Sequence, residues 1–137
     1  MINMVTDTIW RRRLTAGFLT WLIPFLAAVP FYGRDGTLVI DLMLFKSMMI
    51  VVASITAAAL MVWFFSMVST SYAREAAITG LVWLAMNWAL DLIVLVGILG
   101  MAPRDYVIQV GLRYLMIPAM VIATGIVADR VKDGKTP

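Results

Sequence analysis

The chain has 137 residues, 63% of them hydrophobic and only 14% charged, with a net charge of +3 and a mean hydropathy of +0.95, a balance that belongs to a polytopic membrane protein. It contains neither cysteine nor histidine; this excludes disulfides and thiol chemistry and removes the commonest metal and haem ligands, so no metal and no cofactor is expected. The basic residues are not gathered on a soluble face, so nucleic acid is not an expected partner.

A spanning helix needs about 20 apolar residues. Four segments qualify: roughly Leu14–Tyr32, Leu38–Ser69, Ala76–Leu99 and Tyr106–Ala128. The first follows Arg11–Arg13 and has Ala27–Ala28 near its end, as a signal peptide would. Pro24 in mid-run, and the awkward polarity left to the other three spans, favour a retained first helix. Gly33-Arg34-Asp35-Gly36 then reads as a turn, since glycine accepts positive φ and Asp35 bonds its own backbone.

The second segment is longer than a bilayer needs. Asp41 and Lys46 near its start predict a helix that begins at the interface and enters lipid near Lys46, which snorkels towards Asp41 or the headgroups. Trp63, Phe64 and Phe65 near its other end fit lipid anchoring. Thr70 or Ser71 is placed to cap the third helix, with Glu75 in its first turn. Gly100 ends that helix and Pro103 opens the next.

The third and fourth segments carry the polar signal. Ala76, Gly80, Trp83, Asn87, Asp91, Val94 and Ile98 recur at three- and four-residue steps and form one stripe. On the fourth segment Tyr106, Gln109, Arg113, Ile117, Met120 and Thr124 do the same. At a rise of about 1.5 Å per residue, Asp91, Arg113 and Lys46 fall at a common depth of about 13 Å below the boundary. A carboxylate at membrane depth costs about 2.5–3.5 kcal/mol to insert and marks a function or a buried partner. A contact with Arg113 at 4 Å would return about 4 kcal/mol at an effective dielectric near 20. The stripes therefore predict an Asp91–Arg113 clamp within a polar layer of Lys46, Asn87, Asp91, Gln109 and Arg113. The other reading of that layer is a polar cavity for an ion, a proton or a small polar solute. Pro24 and Pro118 are expected to kink their helices.

Arg11, Arg12, Arg13, Arg74, Arg130, Lys132 and Lys135 flank one side and Arg34 and Arg104 the other, so both termini are expected in the cytoplasm. Short connections predict an all-α, up-down-up-down antiparallel four-transmembrane-helix bundle forming one domain, multi-pass in the cell membrane. Small residues four apart (Ala53/Ala57, Ser54/Ala58, Ala76/Gly80, Ala119/Ala123) allow close helix approach, inside the bundle or in a homo-oligomer, a dimer by preference.

Trp83, Asn87 and Asp91, followed by Gly111-Leu112-Arg113-Tyr114 and Pro118, resemble a pattern in small uncharacterised four-span membrane proteins of archaea and bacteria. The resemblance covers the last two segments best and implies the four-helix topology, with no activity attached. The chain is also the size of small multidrug exporters, but departs from them: their acidic residue lies in the first helix, and Leu14–Tyr32 contains none. It likewise lacks a match to the small fluoride channels.

Three function classes remain. The first is a small oligomeric transporter or channel using the polar layer. The second is a non-enzymatic membrane component that binds lipid or partner helices, with the layer as internal clamp. The third, a lipid-modifying enzyme, is disfavoured because no nucleophile lies beside a base.

Overall fold

A computed structural model describes residues 2–134; Lys135, counted above in the basic flank, lies outside them. Helices hold 83% of the described residues, and the only β pairing among them is a single bridge between Tyr32 and Leu38, so the all-α expectation holds. The elements are α1 (Ile2–Ala28, with a 3-10 turn at Val29–Phe31), α2 (Leu42–Phe65), α3 (Tyr72–Asp91, running on as π-helix over Leu92–Ile98), α4 (Pro103–Gln109), a 3-10 segment (Gly111–Leu115) and α5 (Met116–Lys132). Four stretches are long and apolar enough to cross a membrane: Asn3–Phe31, Leu42–Phe65, Tyr72–Ile98 and Gly111–Lys132.

Two boundaries differ from expectation for identifiable reasons. α1 begins about three turns earlier than Leu14, so Arg11–Arg13 lie within the helix instead of before it. α2 begins at Leu42 because Asp41 caps it: Asp41 Oδ1 accepts from the amides of Met43 (2.9 Å) and Leu44 (3.0 Å). A carboxylate at that position satisfies two of the amides that a helix start leaves free. Asp41 is thus a cap, and no ion pair joins it to Lys46.

The packing is a row, in the order α2, α1, α3, α5. α1 and α2 form one antiparallel hairpin, and α3 and α5 a second. The two hairpins meet along α1 and α3, which run parallel: Arg13 meets Thr79, Thr20 meets Asn87 and Trp21 meets Asp91. This corrects the expected antiparallel order in one respect. Consecutive helices α2 and α3 touch mainly at one end, through Phe64–Trp83 and Phe65–Tyr72 ring contacts, each at 6.3 Å. The reason is polarity, since the hydrogen-bonding groups of α3 find their complements on α1.

Both described chain ends lie at one face, called here the termini face; the Gly33–Gly36 and Gly100–Pro103 connections lie at the other, the loop face. The loop-face turn follows the sequence. Gly36 has φ +79°, and Asp35 Oδ1 accepts from the Thr37 amide (3.1 Å) and hydroxyl (2.8 Å).

The α3–α5 contact is close because small residues permit it. A Cβ on Gly125 would collide with the Ala76 methyl and lie 2.7 Å from the Tyr72 carbonyl oxygen. One turn beyond Gly125, Asp129 accepts from the amides of Tyr72 (2.8 Å) and Ala73 (2.7 Å). The cap of α3 therefore comes from α5. Neither Thr70 nor Ser71 supplies it, and Ser71 holds a left-handed conformation with φ +54°. The buried core is small: Ala16, Phe64, Val68, Ala76, Trp83 and Val121. Most large aliphatic residues point outward, as lipid-facing residues would.

Candidate functional site

Every fourth residue of α3 from Glu75 onward is Glu75, Thr79, Trp83, Asn87 and Asp91, and that spacing puts all five on one helical face. Over sixteen residues the face runs about 24 Å, most of a bilayer's hydrocarbon depth. α1 lies against it with Arg13, Gly17, Thr20 and Trp21.

Near the termini face the seam is closed. Arg13, 1% exposed, forms an ion pair with Glu75 and donates through Nε to Thr79 Oγ1 at 2.9 Å. Its guanidinium lies 4.3 Å from the Trp10 ring centroid and 5.6 Å from that of Phe64. Trp83 Nε1 donates to the Arg13 carbonyl at 2.9 Å. The Trp83 indole packs so tightly on Gly17 that a Cβ there would stand 2.8 Å from Cδ1.

In the middle, Asn87 Nδ2 donates to Thr20 Oγ1 (2.9 Å) and to the Trp83 carbonyl (2.8 Å), while the Thr20 hydroxyl donates to the Gly17 carbonyl (2.7 Å). Near the loop face the seam changes character. Asp91, 2% exposed, accepts through Oδ1 from Trp21 Nε1 at 2.7 Å. Its Oδ2, the Asn87 Oδ1 and the Tyr106 hydroxyl are all buried without a hydrogen-bond partner among the described residues. The phenols of Tyr106 and Tyr114 are near enough to interact with the Asp91 carboxylate, although the Tyr106 hydroxyl stops short of a bond of ordinary geometry.

The backbone is irregular near Asp91 on its own helix and on the two segments that flank it. α3 loosens into π-helix at Leu92. On α1, Pro24 lies one turn beyond Thr20; lacking an N–H, it leaves the Thr20 carbonyl without its usual helical donor. The fourth span breaks at Val110 (φ −127°, ψ −57°) and tightens to 3-10 geometry before α5. Beside this break lies a lateral groove of about 290 Å³ lined by Trp88, Leu92, Tyr106, Val107, Gly111, Leu112 and Leu115. Trp88 Nε1 donates to the Gly111 carbonyl at 3.0 Å, tying two of the lining residues together.

Of the expected polar layer, Asn87 and Asp91 are together and buried. Arg113 is not Asp91's partner: among the described residues the one ion pair is Arg13–Glu75. The expected clamp requires one continuous helix from Tyr106, and the break at Val110 shifts the phase. The inward face of the fourth span reads Tyr114, Pro118, Val121, Gly125 and Asp129, with Ile117 still packed at the edge of the core, while Met120 and Thr124 are exposed and Arg113 is half-buried without a partner on α3. Arg113, Gln109 and Lys46 are half-buried and form no ion pair or side-chain hydrogen bond among the described residues. Lys46 also stands on α2, which packs against α1 rather than α3. Pro118 is the third residue of α5, where its missing N–H breaks no helical bond; Pro24 is the proline inside a helix.

The residues not anticipated are Arg13, Glu75, Thr79, Thr20, Trp21 and Tyr114. Their signal was present in the four-residue ladder from Glu75 to Asp91 and in Thr20-Trp21, the polar break in the first span. No family model, no curated protein and no solved structure matches this chain.

Proposed function

We propose that the chain is a multi-pass protein of the cell membrane, its termini cytoplasmic, that acts as a small oligomeric transporter or channel for an ion or small polar solute. The observation that carries this reading is the buried carboxylate of Asp91, with one oxygen unpartnered and no cation within ion-pairing distance. Intramembrane carboxylates are costly and mark ion or solute pathways when nothing structural explains them. Two further features support it. Asp91 lies where two helix hairpins meet, and transporter sites recur at such junctions between halves, on interrupted helices. The π-helix and the 3-10 segment flanking Asp91 are also geometries that recur at functional sites and hinges.

A second reading is supported by the other end of the seam, where Arg13, Glu75 and Thr79 satisfy one another as an internal clamp would in a non-enzymatic, lipid- or partner-binding component. Flux separates the two. Purified protein in liposomes with an entrapped pH-sensitive dye and imposed sodium, potassium or small organic ammonium gradients is expected to show flux that Asp91→Asn abolishes. Flux equal to that of empty liposomes, under every gradient, overturns the transport reading. Single cysteines introduced at Asp35 and Gly134 of this cysteine-free chain are expected to label from opposite sides, Asp35 from outside. Mass measurement in nanodiscs tests the dimer.

A further inference from the structure

Resting on the transport reading, we infer that the Asp91 site takes a small organic cation with an apolar body, which reaches it sideways from the bilayer through the groove at Tyr106. Charge comes first. The site offers a carboxylate oxygen, an amide oxygen and a phenol oxygen, all buried and unpartnered, on Asp91, Asn87 and Tyr106. The carboxylate repels anions and lacks a positive partner, and the amide and phenol oxygens can both accept from a cation's donors. The surroundings are aromatic: Trp21 stacks on Phe25 at 4.9 Å, and Tyr106 and Tyr114 stand at the carboxylate. Aromatic faces beside a carboxylate suit an organic ammonium, which gains from both.

Access comes second. Tyr106 belongs to both places, its ring lining the groove and its hydroxyl facing Asp91. Trp88, Leu92, Leu112 and Leu115 give the groove apolar walls, and all four are substantially exposed on the side of the bundle. A hydrated inorganic ion has no partner on that route, whereas a hydrocarbon body does. At about 290 Å³ the groove is at the small end of ligand pockets, about 300–1,000 Å³, which limits the body to one ring or a short chain. Gly111 permits the arrangement: a Cβ there would stand 3.3 Å from the Tyr106 ring and hold it against the groove.

The test uses the full chain in nanodiscs, with empty nanodiscs as the partition background. The probes are benzyltrimethylammonium and its uncharged isostere neopentylbenzene, read by tryptophan fluorescence and saturation-transfer NMR. The cation is expected to bind saturably and at least tenfold more tightly than the isostere. Asp91→Asn is expected to remove that preference while leaving the isostere unchanged, and Leu112→Trp, which fills the groove, to weaken both. Cation and isostere binding alike in the parent protein overturns the inference, as does cation binding unaffected by Leu112→Trp; these arms stand even if Asp91→Asn does not fold. Asp91-dependent flux of alkali cations or protons without saturable benzyltrimethylammonium binding overturns the inference and leaves the transport reading in place. Saturable binding without flux overturns the transport reading alone.

Discussion

The seam between α1 and α3 carries two acidic residues on one helical face, and their surroundings are opposite. Glu75 meets a guanidinium that is itself fixed by Thr79 and by two aromatic rings. Asp91, four turns along, has one indole donor and a second oxygen without a hydrogen bond of ordinary geometry, although two phenols stand near it. Glu75 is partly exposed, its side chain at 21%, but the Arg13 it meets is as fully enclosed as Asp91. What separates them is completeness. A buried ionic group whose partners are all present fixes the packing of helices, whereas one left incomplete is retained at an energetic cost that the fold itself does not require.

The largest expected effect comes from breaking the completed half. Glu75→Gln leaves Arg13 charged and enclosed without its counter-ion; losing one member of a fully dry pair costs about 3–5 kcal/mol, which is the ceiling here because the Glu75 side chain is 21% exposed. Thermal unfolding in nanodiscs should register this as a steep fall in midpoint. The paired change Arg13→Met with Glu75→Met should restore much of it, because no uncompensated charge remains. Additive losses in the double variant would show that Arg13 and Glu75 do not act as a unit.

The comparison also marks where sequence reasoning stops. The α3 stripe from Ala76 to Asp91 is legible because regular helix preserves its phase, and all five stripe residues over that stretch are buried. The same logic fails on the fourth span, where the break at Val110 replaces Arg113 with Tyr114 at the seam. Arg13 is misread for a different reason. Arg11-Arg12-Arg13 looks like a basic flank, and only the position of α3 shows that the third arginine points inward while Arg12 rests on Trp63 at 4.6 Å. Likewise Asp129 resembles a residue of a charged tail, yet it caps a helix 57 residues earlier in the chain. Local periodicity reveals faces; which face meets which depends on partners distant in sequence.

A smaller loss is expected where the hairpins are built. Gly125→Val drives a side chain into Ala76 and the Tyr72 carbonyl, and overpacking of this kind costs about 1–3 kcal/mol. Because Asp129 lies one turn on, the shift should also loosen the cap of α3. Hydrogen exchange at the Tyr72 and Ala73 amides reads that directly. Unchanged protection there would mean that α5 accommodates the valine without moving.

Asp91→Asn should separate the two halves of the seam most clearly. Since no cation partner is lost, the stability change is expected to stay within about 1 kcal/mol of zero, in contrast to the Glu75 variant, for the carboxamide keeps an oxygen to accept from Trp21 and buries no charge. Equal destabilisation by Glu75→Gln and Asp91→Asn, in the same nanodisc melt, would erase the distinction between a structural and an incomplete acid.

The smallest effect belongs to a third carboxylate, which shows the same principle in water. Asp35 is fully exposed in the loop-face turn, and the Thr37 hydroxyl, followed by the Thr37 amide, holds its carboxyl below the ordinary range. A folded-state value below the unfolded one, about 3.9 for aspartate, contributes stability above that unfolded value, and the contribution disappears as pH falls through the folded one. The window is therefore acidic, below about pH 4, and nothing should change between neutral pH and that point. Thr37→Val removes the hydroxyl donor and keeps the amide, so the Asp35 midpoint should rise part of the way to its ordinary value in a carboxyl-detected NMR titration. Because water solvates this carboxylate whether or not Thr37 does, the thermal midpoint at neutral pH should stay where it was. A marked fall there would mean that the turn helps to set how the first two helices meet.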